Sequence, residues 1–241
     1  KDKTFNFVLL LFAKKEKIVL TIAASDDVLA AGTVDAFQAQ NLRIWGPSKG
    51  ASELEWSKAY AKDFMKRHKI PTSKYEVFNN FEKAKKYVEK GSFPAVIKEN
   101  GLALGKGVTI AQTKEEAVGT LQSIFGKSKN EVVIEEYLEG TEISIHAISD
   151  GSSWKMFPSS QDHKRIFDGD AGPNTGGMGV IAPLTSLQFG GQVVDDALMK
   201  KIEKEIVEPT IVGMKAEGRP FVGILYPGIM LTKEGPKVFE F

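Results

Sequence analysis

The order of helix-like and strand-like apolar patterns along the chain predicts a mixed α/β or α+β fold. Apolar residues recur every three or four positions, which predicts helices, at residues 7–13, 28–39, 52–68, 81–90, 113–125 and 195–214. Runs rich in β-branched and aromatic residues, which favour strands, lie at residues 17–23, 43–45, 75–78, 95–98, 108–111, 132–142, 221–231 and 236–241. The run at 132–142 predicts a strand, a short crossing and a new strand, and Pro209 is expected to interrupt the last helix.

The first strand–helix–strand stretch has the order of a parallel α/β unit. The strand at 17–23 is expected to be buried, and Gly46 with Pro47 closes the strand at 43–45. We interpret residues 1–56 as the remnant of an N-terminal α/β domain.

The predicted helix at 52–68 carries a lysine on its apolar side. Leu54, Lys58, Ala61 and Met65 recur at spacings that place them on one face. Most lysines in such a position bury the stem and extend the ammonium group into water. A ligand-binding role for Lys58 is the alternative.

A glycine-rich stretch connects the strands predicted at 95–98 and 108–111. Its glycines allow backbone N–H groups to approach an anion closely, and Lys98 at the end of the first strand and Lys106 in the stretch add positive charge. The spacing fits neither a Walker A loop nor a dinucleotide-binding fingerprint. A hairpin lid over nucleotide phosphates and a mobile surface hairpin with incidental lysines both remain open.

Two later stretches carry candidate polar groups. Glu142 shares the polar face of its strand with Ser144 and His146, where it could accept ribose hydroxyl protons or lie in water. The loops predicted at 159–165 and 172–179 are rich in hydrogen-bonding groups. The second can form a nest of N–H groups for an anion, with Lys164 and Arg165 beside it if the loops meet.

The last predicted strand places an acid between two aromatic residues. Glu240 lies between Phe239 and Phe241, and a carboxylate among buried rings requires a partner. A metal ion or a lysine is the expected partner, and an exposed strand face is the alternative. Residues 221–231 and 236–241 are expected to form an antiparallel pair.

Composition narrows the function classes. The formal charge of +1 lacks the basic excess of nucleic-acid binders, and the absence of cysteine excludes disulfides and thiol catalysis. The apolar run at residues 5–13 is too short to span a bilayer and lacks the cleavage region of a signal peptide. We therefore expect a cytoplasmic protein that binds neither nucleic acid nor membranes.

The motifs in combination resemble those of the glycinamide ribonucleotide synthetase family of ATP-grasp ligases. They are Trp45-Gly-Pro-Ser48, residues 54–64, Ile70-Pro-Thr72, residues 97–108, residues 134–140, Ser160-Gln-Asp-His-Lys-Arg165, Gly172-Pro-Asn-Thr-Gly-Gly-Met-Gly179 and residues 237–241. The pair formed by the motifs at 160–165 and 172–179 is the most specific.

The resemblance implies an ATP-grasp fold with a small lid subdomain. The lid segment would comprise residues 75–140, and the central domain would comprise residues 57–74 and 141–241. ATP would lie between them. The residues that the resemblance assigns to ATP are Lys58, Lys98, Gly101, Gly105, Lys106, Gly107, Glu135, Glu136, Tyr137, Leu138 and Glu142.

The resemblance also implies roles in the reaction. Lys58, Lys98, Lys106, Lys164 and Arg165 would stabilise charge during catalysis. The substrate-binding residues would be Asp162, Lys164, Asn174, Thr175, Gly176, Gly177 and Met178. Glu240 would hold Mg²⁺, with Mn²⁺ as the alternative ion.

The implied reaction joins glycine to 5-phosphoribosylamine through a glycyl phosphate, with ATP converted to ADP and phosphate. Fusion to other purine-pathway enzyme domains is compatible with the resemblance. Segments that the family carries before and after these residues are expected outside this sequence, which leaves the activity of the chain alone open. The alternatives are another ATP-grasp carboxylate–amine ligase and a nucleotide-binding fragment without catalysis.

Overall fold

The computed structural model describes residues 2–102, 107–127, 131–169, 171–184 and 194–241. Gly105 and Lys106 of the predicted glycine loop lie outside these residues. Within them, no helix combines the length and the apolar character that crossing a membrane requires.

The N-terminal unit contains a short parallel strand pair. Its elements are α1 (Asp2–Lys15), β1 (Thr21–Ile22), α2 (Asp26–Ala30), α3 (Thr33–Gln38) and β2 (Ile44–Trp45). The predicted helix at 28–39 is divided because Gly32 adopts a φ of 74°. The expectation of a buried strand at 17–23 is wrong. Only two residues pair with β2, and Val19 and Ile22 are 80% and 64% exposed because no described element covers them.

The single helix predicted at 52–68 is wrong, because the structure has two helices there. These are α4 (Lys49–Trp56) and α5 (Lys58–Arg67). Ser57 between them is extended, with φ −113° and ψ 99°, and its Oγ accepts a hydrogen bond from Tyr60 N at 3.3 Å. Serine is a favoured helix N-cap, so it starts a new helix at Lys58.

The lid segment forms an antiparallel sheet with helices on one face. Its elements are β3 (Tyr75–Phe78), α6 (Phe81–Val88), β4 (Ala95–Glu99), β5 (Val108–Ala111), α7 (Lys114–Lys127) and β6 (Val132–Glu136). The strand order is β3-β6-β4-β5. Ile97 and Ile134 of the sheet pack against Ala84 of α6 and Leu121 of α7. The predicted pairing of β4 with β5 is confirmed, with Ala95 opposite Ala111.

The described residues from Thr141 onward form two three-stranded sheets, two small two-stranded antiparallel sheets and an interrupted helix. The elements are β7 (Thr141–Ser144), β8 (Ala147–Asp150), β9 (Trp154–Met156), β10 (Gln161–Asp162), β11 (Arg165–Phe167), β12 (Ala171–Asn174), β13 (Val180–Ile181), α8 (Asp196–Ile202), a π-helical turn (Glu203–Val207), α9 (Glu208–Ala216), β14 (Val222–Leu225), β15 (Gly228–Thr232) and β16 (Gly235–Glu240). The sheets have the orders β14-β8-β9 and β16-β15-β7. The large core between these elements includes Phe64, Ile143, Ile206 and Phe221.

Two expectations about this region are corrected and two are confirmed. The strand predicted at 221–231 is two strands in different sheets, because Pro227 cannot donate to a ladder and lies at the break. The predicted loops at 159–165 and 172–179 contain short strands, since β10 pairs with β13 and β11 with β12. The predicted hairpin β15–β16 is confirmed. The interruption near Pro209 is also confirmed, because a π-helical turn ends immediately before α9.

Candidate functional site

Three cavities meet around Glu240 at the end of β16. The lid cavity, about 320 Å³, lies between the lid sheet and the β15–β16 hairpin. The helix cavity, about 390 Å³, lies beside α4 and α5, and the N-terminal cavity, about 520 Å³, lies between β1–β2 and the central sheets. Glu240 lines all three. The structure therefore gathers residues from the lid segment, the central sheets and the N-terminal unit around one carboxylate.

Lys98 lies at the base of the lid and helix cavities, where its ammonium group already has protein partners. Its Nζ donates to Phe239 O at 2.6 Å and lies 2.9 Å from Glu135 Oε1. The contact with Phe239 joins β4 of the lid segment to β16 of the central sheet. An ammonium group has three donors, so these contacts leave it able to meet an anion in the cavity.

Glu135 and Lys62 complete this buried charge cluster. Glu135 Oε2 lies 2.7 Å from Lys62 Nζ and accepts from Ser73 Oγ at 2.6 Å. Burial alone would raise the pKa of Glu135, but the charges of Lys98 and Lys62 hold it below its ordinary value. The Glu135 carboxylate is thus kept charged by protein partners, and its main chain lies in β6 between β3 and β4.

Lys58 connects the start of α5 to the glycine loop of the lid segment. Its Nζ donates to Gly101 O at 2.9 Å, and Asn100 Oδ1 accepts from Ala59 N at 3.2 Å. Burial, with the nearby charge of Lys98, lowers the pKa of Lys58. Gly101 adopts a φ of 101° and lines the helix cavity together with Gly107. Lys58, Gly101 and Gly107, which the resemblance assigns to ATP, thus line one cavity.

The end of β6 and the two residues after it form one wall of the lid cavity. Glu135, Glu136, Tyr137 and Leu138 all line it. The Glu136 carboxylate accepts from Lys74 N at 2.9 Å, which holds that side chain at the strand end.

Glu142 and Lys164 form an ion pair between the lid and N-terminal cavities. Lys164 Nζ donates to Glu142 Oε1 and lies 3.9 Å from Glu240 Oε1. Although burial opposes it, the hydrogen bond from Lys164 to Glu142 raises the pKa of Lys164. The expected lysine partner of Glu240 is therefore present, but Glu240 is exposed and its neighbours Phe239 and Phe241 are only half-buried. The premise that buried rings enclose this acid is wrong.

The stretches predicted at 159–165 and 172–179 do meet, through main-chain bonds. Thr175 N donates to Lys164 O at 2.7 Å, and Met178 N donates to His163 O at 2.7 Å. Gly177 N donates to Thr175 Oγ1 at 3.0 Å. These three amides are already committed to protein acceptors, so they do not provide the anion nest that the glycine content predicts.

The substrate residues expected in these stretches lie at different distances from the cavities. Asp162, Lys164 and Gly176 line the N-terminal cavity, and Thr175 lines the lid cavity. Position 177, beside Asp162, requires glycine. Its φ is 121°, and a Cβ there would lie 3.1 Å from Asp162 Oδ1. Arg165 is exposed and donates to Gly172 O at 2.8 Å, so it braces the β11–β12 hairpin. Met178 is exposed, and Asn174 lies at the end of β12.

The donor set around Glu240 suits an ion that is shared with a nucleotide. Among the residues that the structure describes, no group of three or more acidic or histidine side chains could hold a metal ion. Mg²⁺ is commonly bound by one or two carboxylates together with phosphate oxygens and water. Glu240 and Glu142, which both contact Lys164, fit that smaller requirement.

Sequence reasoning missed two ionisable groups of the site. Lys62 follows Lys58 by four residues, one helical turn along α5, and this spacing was the available signal. Glu55 lines both the helix and the N-terminal cavities, and burial with the nearby charge of Asp26 raises its pKa to about 7. No pattern pointed to Glu55, because its burial depends on how α4 packs against α2.

Comparison with known protein families gives matches along nearly the whole chain. Residues 56–241 match the family described as phosphoribosylglycinamide synthetase, ATP-grasp (A) domain. Residues 2–55 match the N domain of the same family.

Similar curated proteins carry one description. The chain is 50% identical over 238 residues to a phosphoribosylamine–glycine ligase of Streptococcus pyogenes serotype M1, which covers 97% of this chain and 55% of that protein. The same identity and chain coverage are found for the phosphoribosylamine–glycine ligase of Halalkalibacterium halodurans, with 54% of that protein covered. The chain thus spans about half the length of the curated relatives it matches.

Solved structures support the fold and the family. The crystal structure of phosphoribosylamine–glycine ligase from Thermotoga maritima superposes with a TM-score of 0.74 at 38% identity, over 85% of this chain and 51% of that chain. A D-alanine–D-alanine ligase from Bacillus anthracis superposes with a TM-score of 0.67 at 21% identity, over 95% of this chain and 71% of that chain, which shows the fold alone. The expected ATP-grasp fold is confirmed. With the family match over residues 56–241, the chain belongs to the phosphoribosylglycinamide synthetase family.

Proposed function

We propose that this chain carries the ATP-dependent ligation of glycine to 5-phosphoribosylamine, a cytoplasmic step of purine biosynthesis. The observation that supports this most is the meeting of three cavities at Glu240, each with its own set of charged residues. A ligase of this type needs a nucleotide, a carboxylate and an amine close to one reacting centre.

The nucleotide is assigned to the lid cavity and the adjoining helix cavity. The backbone of residues 135–138 would contact the base, and Glu142 would meet the ribose. Lys98 and Lys58 would neutralise phosphate charge, with the loop that contains Gly101 and Gly107 above them. The division into residues 1–56, the lid segment and the central domain stays part of this proposal.

A divalent ion, Mg²⁺ or Mn²⁺, would be held by Glu240 with Glu142 nearby. Such an ion supplies charge neutralisation of the transferring phosphoryl group. Lys98 and Lys164, which line the lid cavity with Glu240, would supply fixed positive charge. No nucleophilic side chain is required, because positioning and electrostatic stabilisation dominate phosphoryl transfer.

The acceptor substrates are assigned to the N-terminal cavity. This cavity has an aromatic wall of Trp45 and Tyr226 and polar groups from Asp162 and Lys164. In the proposed reaction the glycine carboxylate attacks the γ-phosphate and releases ADP. The amine of 5-phosphoribosylamine then attacks the glycyl carbonyl and releases phosphate. Closure of the lid segment would keep water away from the acyl phosphate.

Release of ADP by the purified chain tests the proposal. The chain is incubated with Mg-ATP, and glycine and 5-phosphoribosylamine are omitted in turn. Release that requires both substrates supports the proposed ligase. Release that ignores glycine indicates another ATP-grasp carboxylate–amine ligase, and ATP binding without ADP release indicates a nucleotide-binding fragment.

A further inference from the structure

Lys62 is a buried ionisable group that the proposed chemistry does not use. It is 2% exposed, and its Nζ donates to Thr72 Oγ1 and Ser73 Oγ, both at 2.7 Å. The hydroxyl of Thr72 in turn donates to Val238 O at 2.6 Å. Lys62 therefore lies where α5, the entry to β3 and the end of β16 meet, and it lines the helix cavity together with Lys98 and Glu135. A lysine is seldom buried so completely unless it is paired.

The hydrogen bonds divide unequally between the two oxygens of Glu135. Oε2 receives Ser73 Oγ at 2.6 Å and lies 2.7 Å from Lys62 Nζ. Oε1 lies 2.9 Å from Lys98 Nζ but receives no aligned hydrogen bond. The carboxylate is therefore oriented by its contacts with Lys62 and Ser73, whereas Lys98 attracts it through charge without an aligned hydrogen bond.

The charge balance of this cluster determines what Lys98 can offer to a ligand. With Lys62 and Lys98 protonated and Glu135 ionised, two positive charges face one negative charge. Without Lys62, Glu135 would neutralise Lys98 at short range in a poorly solvated setting, where such pairing is strong. With Lys62 present, these three groups together carry a net positive charge beside the lid and helix cavities, which Lys98 lines.

We propose that Lys62 is a positioning residue that acts as the counterion of Glu135 and so leaves the charge of Lys98 available to an anionic ligand, the nucleotide phosphates. The inference rests on the proposed placement of the nucleotide, but it does not depend on which substrates are ligated. It predicts that Lys62 matters for the phosphates and not for the nucleoside.

The experiment compares two ligands and three proteins by calorimetry. Mg-ATP and adenosine are titrated into the wild-type chain, into Lys62→Met and into Lys62→Met/Glu135→Gln. Methionine retains most of the stem and removes the charge. The glutamine removes the negative charge that would otherwise neutralise Lys98.

We expect Lys62→Met to bind Mg-ATP roughly tenfold more weakly or worse, because charge-assisted contacts are of that strength. Adenosine affinity should change by no more than about twofold, since no phosphate is present. The double variant should regain most of the lost Mg-ATP affinity. A residue with a purely structural role would weaken both ligands alike and would not be rescued by a second substitution.

Each contrary outcome is distinct. Unchanged Mg-ATP affinity in Lys62→Met, or equal losses for ATP and adenosine, would overturn the role of Lys62 while leaving the nucleotide site in place. Absence of binding by the wild-type chain would overturn both this inference and the proposed nucleotide site. If Lys62→Met alone fails to fold, Lys62→Arg retains the charge and should bind Mg-ATP like the wild type. Loss of Mg-ATP affinity in a folded Lys62→Arg chain would contradict the inference.

Discussion

Lys98 and Lys164 both lie near Phe239, with their Nζ atoms 6.0 Å and 5.9 Å from its ring centre, yet they are held in different ways. The Lys98 side chain is 6% exposed and contacts a main-chain carbonyl and a carboxylate that a second lysine also holds. The Lys164 side chain is 30% exposed and pairs with Glu142, which is 38% exposed. One cation belongs to a buried network and the other to a pair that water screens.

Because the two lysines differ in burial, their substitution should affect the stability of the fold to different degrees. Removing one member of a buried network leaves an uncompensated charge, whereas removing one member of an exposed pair lets water replace it. We therefore expect the Lys98 side of the site to tolerate little substitution. Substitution of Lys164 or Glu142 should change the stability of the fold little, but it should still affect the chemistry in the N-terminal cavity.

Substitution of Glu135 should produce the largest effect. Glu135→Ala leaves Lys62 and Lys98 buried without their shared anion and should lower the free energy of unfolding by about 3–5 kcal/mol. Glu142→Ala is the matched control at the exposed ion pair and should change the free energy of unfolding by less than about 1 kcal/mol. Urea unfolding followed by tryptophan fluorescence measures both. Equal losses in the two variants would show that burial does not distinguish the two sides.

The strand pattern predicted the region around Lys98 well, because β-branched residues and the alternation of apolar and polar residues are typical of strands in a sheet that is covered on one face. The pairing of β4 with β5 and the last hairpin follow from residues that are close in sequence. Thr113 and Glu116 likewise have the spacing of a capping box, and Thr113 Oγ1 accepts from Glu116 N at 3.2 Å. The position of Lys98 near the end of β4 could thus be anticipated.

What could not be predicted depends on contacts between distant segments. Lys62 and Glu135 are far apart in sequence, and neither shows in its own surroundings that it will be paired. The break at Ser57 was missed because helical spacing continues through it, while the lid residue Asn100 supplies an acceptor to the new helix start. The region around Lys164 was less predictable still. Main-chain hydrogen bonds between the stretches at 159–165 and 172–179 determine which backbone amides remain available to a ligand.

Removal of the Lys98 charge should have the next largest effect, and on binding. Lys98→Ala should weaken Mg-ATP binding by about 1.5–3 kcal/mol, because a charge-assisted contact is lost. Lys215→Ala is the control, since Lys215 is exposed and donates to Ser152 Oγ at 2.9 Å, outside the three cavities. Isothermal titration measures both variants. Unchanged affinity in Lys98→Ala would remove this lysine from the nucleotide site and erase the contrast with Lys164.

The smallest effect on stability is expected from a change of pH, which changes the charge of Lys62 in the buried cluster with Glu135 and Lys98. Burial lowers the pKa of Lys62 to about 8 from 10.5, against the attraction of Glu135. The groups that face it are Glu135, Glu136 and Lys98 from the lid sheet, the Tyr75 ring at 6.0 Å, and the hydroxyls of Thr72 and Ser73. Because the folded state disfavours the charged form, the unfolded chain binds more protons between these two pKa values.

Two measurements should therefore move in opposite directions as pH rises above about 8. The free energy of unfolding should increase by about 1–2 kcal/mol by about pH 9.5, relative to Lys62→Met, which has no titrating group at this position. Affinity for Mg-ATP should fall over the same range, because neutral Lys62 no longer compensates Glu135. Urea unfolding and calorimetry of both proteins at matched pH values test this. A fall in stability and affinity together would indicate general loss of structure, and the contrast between the buried and exposed lysines would then lack an electrostatic basis.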